Sequence, residues 1–185
     1  VGETHPRLVS RCAIIANELD NLRDFTDRMD LLFDALPPSQ PKSLFELVTE
    51  LRVKFTNSFP FANLSMSGPE LMLNIRRGSW LLAALTELLN NAGEAEGDNG
   101  HVTLDWSFDN HTLAFKISNN GTPFPSHIHT SPPIPFTTDK SRHDGIGLAI
   151  AQRIANELNA SLSITTSPDG VTASIQLHTT ETDSA

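Results

Sequence analysis

The chain has 185 residues, enough for one large domain or one ordinary domain with an appendage. A formal net charge of −9, with no clustering of Lys and Arg beyond Arg76-Arg77, excludes a surface built to neutralise nucleic-acid phosphates. The single cysteine, Cys12, excludes an internal disulfide and fits a reducing compartment. No apolar run reaches the ~20 residues that span a bilayer, and no basic segment precedes an apolar one as in a signal peptide. The expectation is a soluble, cytoplasmic chain, including one cut from something longer.

In chain order, the first signal is a recurrence of apolar or semi-apolar residues at Leu8, Cys12, Ile15, Leu19, Leu22, Thr26, Met29, Phe33 and Leu36. Steps of four and three are the a/d seam of a coiled coil or helical bundle, here on a helix roughly 45 Å long at 1.5 Å per residue. Cys12 lies on that seam and reads as a small buried apolar side chain. A helix of this length has no core of its own. Its seam must meet another copy of the chain, a helix upstream, or the domain that follows. Pro37-Pro38-Ser39-Gln40-Pro41 ends it, because proline lacks an N–H and clashes with the preceding turn.

Ser43 and Glu46 form a Ser-x-x-Glu capping box, opening an amphipathic helix with Leu44, Leu47, Val48, Leu51 and Phe55 inward. Residues 61–66 and 71–75 read as short strands, and 80–94 as a helix with an apolar body. Alternating strands over 102–108 and 112–118 flank Asp109-Asn110, a hairpin signal. A helix over 145–158 follows, then a second hairpin of 162–166 with 171–178 around Ser167-Pro168-Asp169-Gly170. The polar residues 179–185 are expected to fray. The chain thus divides into a helical stalk over 1–36, a proline-rich linker over 37–42, an α/β sandwich over 43–178, and a disordered tail.

Three stretches carry chemistry. In "ELLNNAGEA", residues 87–95, Glu87 and Asn91 stand four apart and emerge from one helix face. Burying a carboxylate and a carboxamide there is costly unless something polar meets them. Mg²⁺ with phosphates would do so, since this ion takes oxygen ligands and keeps several waters. Exposure near the helix end accounts for the pair equally well. In "DGIGLAIAQRIANEL", residues 144–158, Gly145 and Gly147 open a helix whose N–H groups and positive dipole end suit an anion. A dinucleotide fingerprint would need a strand just before it and a third glycine. What precedes it instead is 122–143, rich in Pro, Ser, Thr and His, with the length of a lid or a disordered stretch. Its "PFTTDK", residues 135–140, supplies an aromatic anchor in Phe136, hydroxyls including Thr138, and the cation Lys140. His127, His129 and His143 share the segment, but no Cys or carboxylate accompanies them at ligand spacing. Between these stretches, "ISNNGTPFP", residues 117–125, ends a strand and is either an ordinary turn or an altered nucleotide-binding signature.

Taken in order, the motifs at 87–95, 117–125, 135–140 and 144–158 resemble the N, G1, F and G2 boxes of sensor histidine kinases. These belong to the GHKL, or Bergerat-fold, ATPase superfamily with gyrase, the heat-shock chaperones and the mismatch-repair ATPases. The resemblance covers about residues 42–178. The heptad helix and "LFDALPPSQP" similarly look like the second helix of a kinase dimerisation hairpin and its exit. The resemblance implies an α/β two-layer sandwich that binds ATP and Mg²⁺ under a lid. It also implies a homodimer through the N-terminal helix, ADP as product and a response-regulator protein as partner. Such a chain can be the cytoplasmic part of a membrane-anchored sensor.

Carried over by position, Asn91 would ligate Mg²⁺, and Glu87 would polarise a water or the attacking group. Gly121 would lie in the base-binding turn, and Gly145, Gly147 and Leu148 at the phosphates, with Ala149 where a further glycine is common. Phe136 would anchor the lid, with Thr138 and Lys140 near the phosphates. Three departures stand out. Asn119 replaces the aspartate that accepts a hydrogen bond from the adenine amino group, and Pro123 replaces a glycine. The phosphate-accepting histidine is not found: His5 is followed by Pro6 at a helix start, so the acceptor is expected before residue 1. An amide still accepts through its oxygen, at a loss on the order of 1 kcal/mol or roughly tenfold in affinity. It can also flip to present a donor, which loosens base selectivity. The leading expectation is a protein histidine kinase. The alternatives are a degenerate, non-enzymatic dimerisation scaffold and a plain ATP hydrolase.

Overall fold

The computed structural model describes residues 6–96, 100–121, 135, 145–167 and 170–178. The chain divides into two compact units, Val1–Pro37 and Pro38–Ala185. In the first, α1 spans Pro6–Phe33. Leu8, Ile15, Leu19, Leu22 and Phe33 are exposed along it, and so is Cys12, which therefore shares the fate of its stripe rather than being buried. Thr26, the weak member of the seam, donates its hydroxyl to the Leu22 carbonyl at 2.9 Å. Its polarity is satisfied within the helix. No described helix is long and apolar enough to cross a membrane.

The second unit opens with β1, Lys42–Ser43, and α2, Leu44–Ser58. The expected capping box is present. The Glu46 N–H donates to Ser43 Oγ at 3.2 Å, while the Ser43 N–H and Oγ–H donate to Glu46 Oε2 at 2.8 and 2.9 Å. Those bonds, the backbone one first, hold the Glu46 carboxyl below the usual carboxylate range, with Lys42 adding a smaller pull. Leu44, Leu47, Leu51 and Phe55 form the buried face of α2. β1 pairs antiparallel with β3, Asn74–Ile75, so the strand expected over 71–75 is confined to its last two residues. β1 itself, two residues long, carries no alternation that a sequence could show. β2, Asn63–Ser67, starts after Phe61, which is exposed in a turn.

The remaining elements are α3, Gly78–Glu96; β4, His101–Asp109; β5, Thr112–Asn119; α4, Gly147–Glu157; β6, Ser161–Ser167; and β7, Gly170–His178. The five-stranded sheet has the order β2-β4-β5-β7-β6, antiparallel except for β2 with β4. Helices α2, α3 and α4 lie in sequence on one face, with α3 over β4 and β5, and α4 over β6. This is the expected two-layer α/β sandwich. Its core lies between Leu104, Leu113, Phe115, Ile117 and Ile175 of the sheet and Leu47, Leu85, Ile150 and Ile154 of the helices, all nearly inaccessible.

Two chain reversals have local causes. In the β4–β5 hairpin Asp109 still pairs with Thr112, so the turn is Asn110-His111 rather than Asp109-Asn110. Both turn residues have positive φ, 46° and 60°, as the twist-matched two-residue turn requires. At the end of α4, Asn159 takes φ 52° and the Ala160 N–H reaches the Ala155 carbonyl at 2.8 Å, a Schellman ending with asparagine in the left-handed position.

Candidate functional site

α3 is apolar because it is covered on several sides: Leu81, Leu82, Ala84, Leu85, Leu88, Leu89 and Ala92 are all buried. Glu87 is buried with them at 6% exposure, and Asn91, one turn on, is half-buried. The alternative that the pair simply faces solvent therefore does not hold for Glu87. Among the described residues, the buried polar or charged side chains are Glu87 and Asn119.

Asn119 is the last residue of β5 and continues the buried row Leu113, Phe115, Ile117, so strand alternation turns its side chain toward the helices. It pairs with Val102 on one side and Val171 on the other. Its amide nitrogen is buried with no hydrogen-bond partner among the described residues. A buried amide donor left unsatisfied is costly, which makes it a position that asks for a ligand acceptor.

Three contacts fix which end of the sandwich this is. β4 begins close in sequence to the end of α3, and Asn119 pairs with the start of β4. A Cβ on Gly121 would lie 2.5 Å from the Ala95 carbonyl oxygen in α3 and 3.0 Å from the Asn119 amide nitrogen, so only glycine lets the chain leave β5 along that path. The Arg77 guanidinium, just before α3, donates to the carbonyl of Glu157, the last residue of α4, at 2.5 Å. With α3 packed on α4, that bond makes the two helices antiparallel. The first turn of α4 therefore faces the C-terminal half of α3.

By these contacts Asn119 and Gly121 lie by the C-terminal end of α3, while Gly145, Gly147 and Leu148, at the start of α4, face the part of α3 that carries Glu87, at its midpoint, and Asn91, one turn on. Gly145 has φ 67°, Gly147 is buried, Leu148 is half-buried, and among the described residues no side chain caps α4. Phe136, Thr138 and Lys140 lie outside the described residues, as do Pro123, His5, His127, His129 and His143. Gly170, read from sequence only as a hairpin residue, abuts the Asn119 carbonyl so closely that a Cβ there would collide with it. No local signal announces this, since the two residues are far apart in sequence.

Chemically, this region combines a helix N-terminus suited to an anion, oxygen donors on Glu87 and Asn91, and an unsatisfied amide at Asn119. No group of three His, Cys, Asp or Glu side chains among the described residues could hold a metal on protein ligands alone. The Asn91 and Glu87 oxygens suit a hard cation that draws its other ligands from phosphates and water.

Comparison with known proteins bears on the family and the fold. Residues 77–181 match the family model described as "Histidine kinase-, DNA gyrase B-, and HSP90-like ATPase". The chain is 23% identical over 176 residues to the C4-dicarboxylate transport sensor protein DctB of Rhizobium meliloti (strain 1021), covering 88% of this chain and 28% of that protein. It spans little more than a quarter of that curated relative. Among solved structures it is similar to full-length ShkA in complex with AMPPNP, with TM-score 0.75, 14% identity, and coverage of 95% of this chain and 40% of that one. It is also similar to histidine kinase ThkA in complex with response regulator protein TrrA, with TM-score 0.70, 21% identity, and coverage of 97% and 53%. Since the family match takes in more than half of its length, the chain belongs to the histidine kinase-, DNA gyrase B- and HSP90-like ATPases.

Proposed function

We propose that residues 43–178 are the ATP-binding catalytic region of a two-component sensor histidine kinase, passing the γ-phosphoryl group of ATP to a histidine outside that unit. The observation that supports this reading is that the buried polar side chains described, Glu87 and Asn119, fall in two of the ordered motifs, on a helix and a strand that pack on each other. Asn119 and Gly121 receive the base; Gly145, Gly147 and Leu148 lie at the phosphates; Phe136, Thr138 and Lys140 belong to the covering segment. Asn91 holds Mg²⁺, which when bound neutralises charge on the phosphate oxygens. Glu87, buried where a charge is poorly solvated, is the group that takes a proton from, or polarises, the attacking atom.

The exposed seam of α1 supports a homodimer through residues 1–36, read as the second helix of a dimerisation hairpin, with 37–42 as linker and 179–185 as a tail. A response-regulator protein is the proposed partner, by analogy with the ThkA–TrrA complex, and the cytoplasm the proposed location. A second reading, a scaffold without catalysis, is favoured by the amide at Asn119 and by Pro123.

Calorimetric titration with Mg·ATP separates the two. Saturable binding is expected, weakened on the order of tenfold or more by Asn91→Ala. A wild-type chain that binds no Mg·ATP leaves the scaffold.

A further inference from the structure

We propose that the Asn119 carboxamide makes this a site for 6-oxopurine nucleotides, inosine and guanosine triphosphates, as well as for ATP. The inference rests on the nucleotide-site reading above and adds to it the class of base admitted.

Asn119 is 8% exposed and held in register between Val102 and Val171. The backbone around it has little room to move: Gly121 lies against the amide on one side, and Gly170 abuts the residue's own carbonyl. On the opposite face of the sheet the neighbouring Ser118 and Thr172 hydroxyls bond each other at 3.0 Å. The position of the amide is therefore fixed by the sheet. Its orientation is not fixed in the same way, because among the described residues nothing accepts from the amide nitrogen. Half a turn about the last side-chain bond exchanges nitrogen and oxygen at no change in shape.

The two purine classes present mirrored edges. Adenine offers an amino donor at position 6 beside an acceptor at N1; a 6-oxopurine offers an acceptor at O6 beside an N1–H donor. A carboxamide carries one donor and one acceptor side by side, so it meets either edge with both groups satisfied after a flip. A carboxylate only accepts. With one oxygen against the 6-substituent it meets the adenine amino group with a charge-assisted bond, but it opposes O6 acceptor to acceptor, a loss that a bond from N1–H to its other oxygen offsets in part. Burial makes that mismatch expensive, because neither oxygen can turn to water instead. The amide thus trades some strength toward adenine for tolerance of the oxo class.

The test titrates the full chain and Asn119→Asp with Mg·ATP, Mg·ITP, Mg·GTP and Mg·CTP, with circular dichroism as the check on folding. ITP is the cleanest comparison, since it differs from ATP only at the edge in question. The wild type is expected to bind ITP within about tenfold of ATP and CTP far more weakly. Asn119→Asp is expected to tighten ATP about tenfold without tightening ITP, widening their ratio about tenfold or more. A wild type that binds ATP but rejects ITP by about 100-fold overturns the inference whether or not the variant folds, while leaving the nucleotide site intact. So does equal binding of CTP, which would mean that only the triphosphate is read. Binding of no nucleotide by the wild type overturns the site reading itself.

Discussion

In α1 the apolar side chains are outside: Leu19 is 61% and Leu22 62% exposed, on a seam with coiled-coil spacing. In α3 a charged side chain is inside: Glu87 is 6% exposed in a helix where Leu81 and Leu85 are fully buried. The two departures make different demands. An exposed apolar stripe gains from losing water, a non-directional effect that a second helix of matching period satisfies. A buried carboxylate needs partners of the right polarity in the right direction. The first demand suits assembly and the second suits chemistry. In this chain they fall in different compact units.

The sharpest way to break this contrast is to make the same change in both helices. Leu85→Ala removes a fully buried side chain and is expected to destabilise the α/β unit by about 2–5 kcal/mol in denaturant unfolding. Leu19→Ala is expected to leave that transition within about 0.5 kcal/mol and to appear instead as weaker self-association in sedimentation. Equal losses of stability would erase the distinction.

A smaller effect sharpens the α3 side. Gly121→Ala would put a methyl 2.5 Å from the Ala95 carbonyl, a backbone atom that cannot swing away. A loss of about 1–3 kcal/mol in unfolding is expected, with weaker nucleotide binding through the displaced Asn119. An unchanged stability would mean that the turn after β5 is not held against α3.

The smallest effect lies at the capping box of α2, away from both departures. The Glu46 carboxyl is lowered by its bonds from Ser43. A lowered folded-state value means stability that is present above the ordinary carboxylate value and lost as pH falls through the lowered one. Stability measured against pH should therefore decline on the acid side, and Glu46→Gln should flatten that decline without altering nucleotide binding. A change in binding would mean that α2 communicates with the site.

Much of this was readable in the chain itself, and unevenly so. The cap at Ser43 and Glu46, the alternation of β5 and the residues within each motif depend on neighbours a few positions apart, and these signals survive in a linear string. The alternation locates the hairpin but puts its turn one residue early, because Asn110 and His111 both accept positive φ and the register of β4 on β5 decides between the candidates. The β1–β3 pair joins Lys42 to Ile75, and two residues carry no periodicity to announce it. Glu87 and Asn91 could be placed on one helix face by their spacing. Whether that face looked to solvent depended on α4 and the sheet.

Most of the elements, the break at the prolines and the residue types with chemistry in them are legible along the chain, because periodicity, capping and turn preference are short-range. The tertiary structure is what buries Glu87, closes Gly121 on Ala95, ties α3 antiparallel to α4 through Arg77, and holds Asn119 in the sheet with its amide nitrogen unsatisfied among the described residues. Each of these depends on which distant segments exclude water from one another, and strand register and helix packing set that jointly.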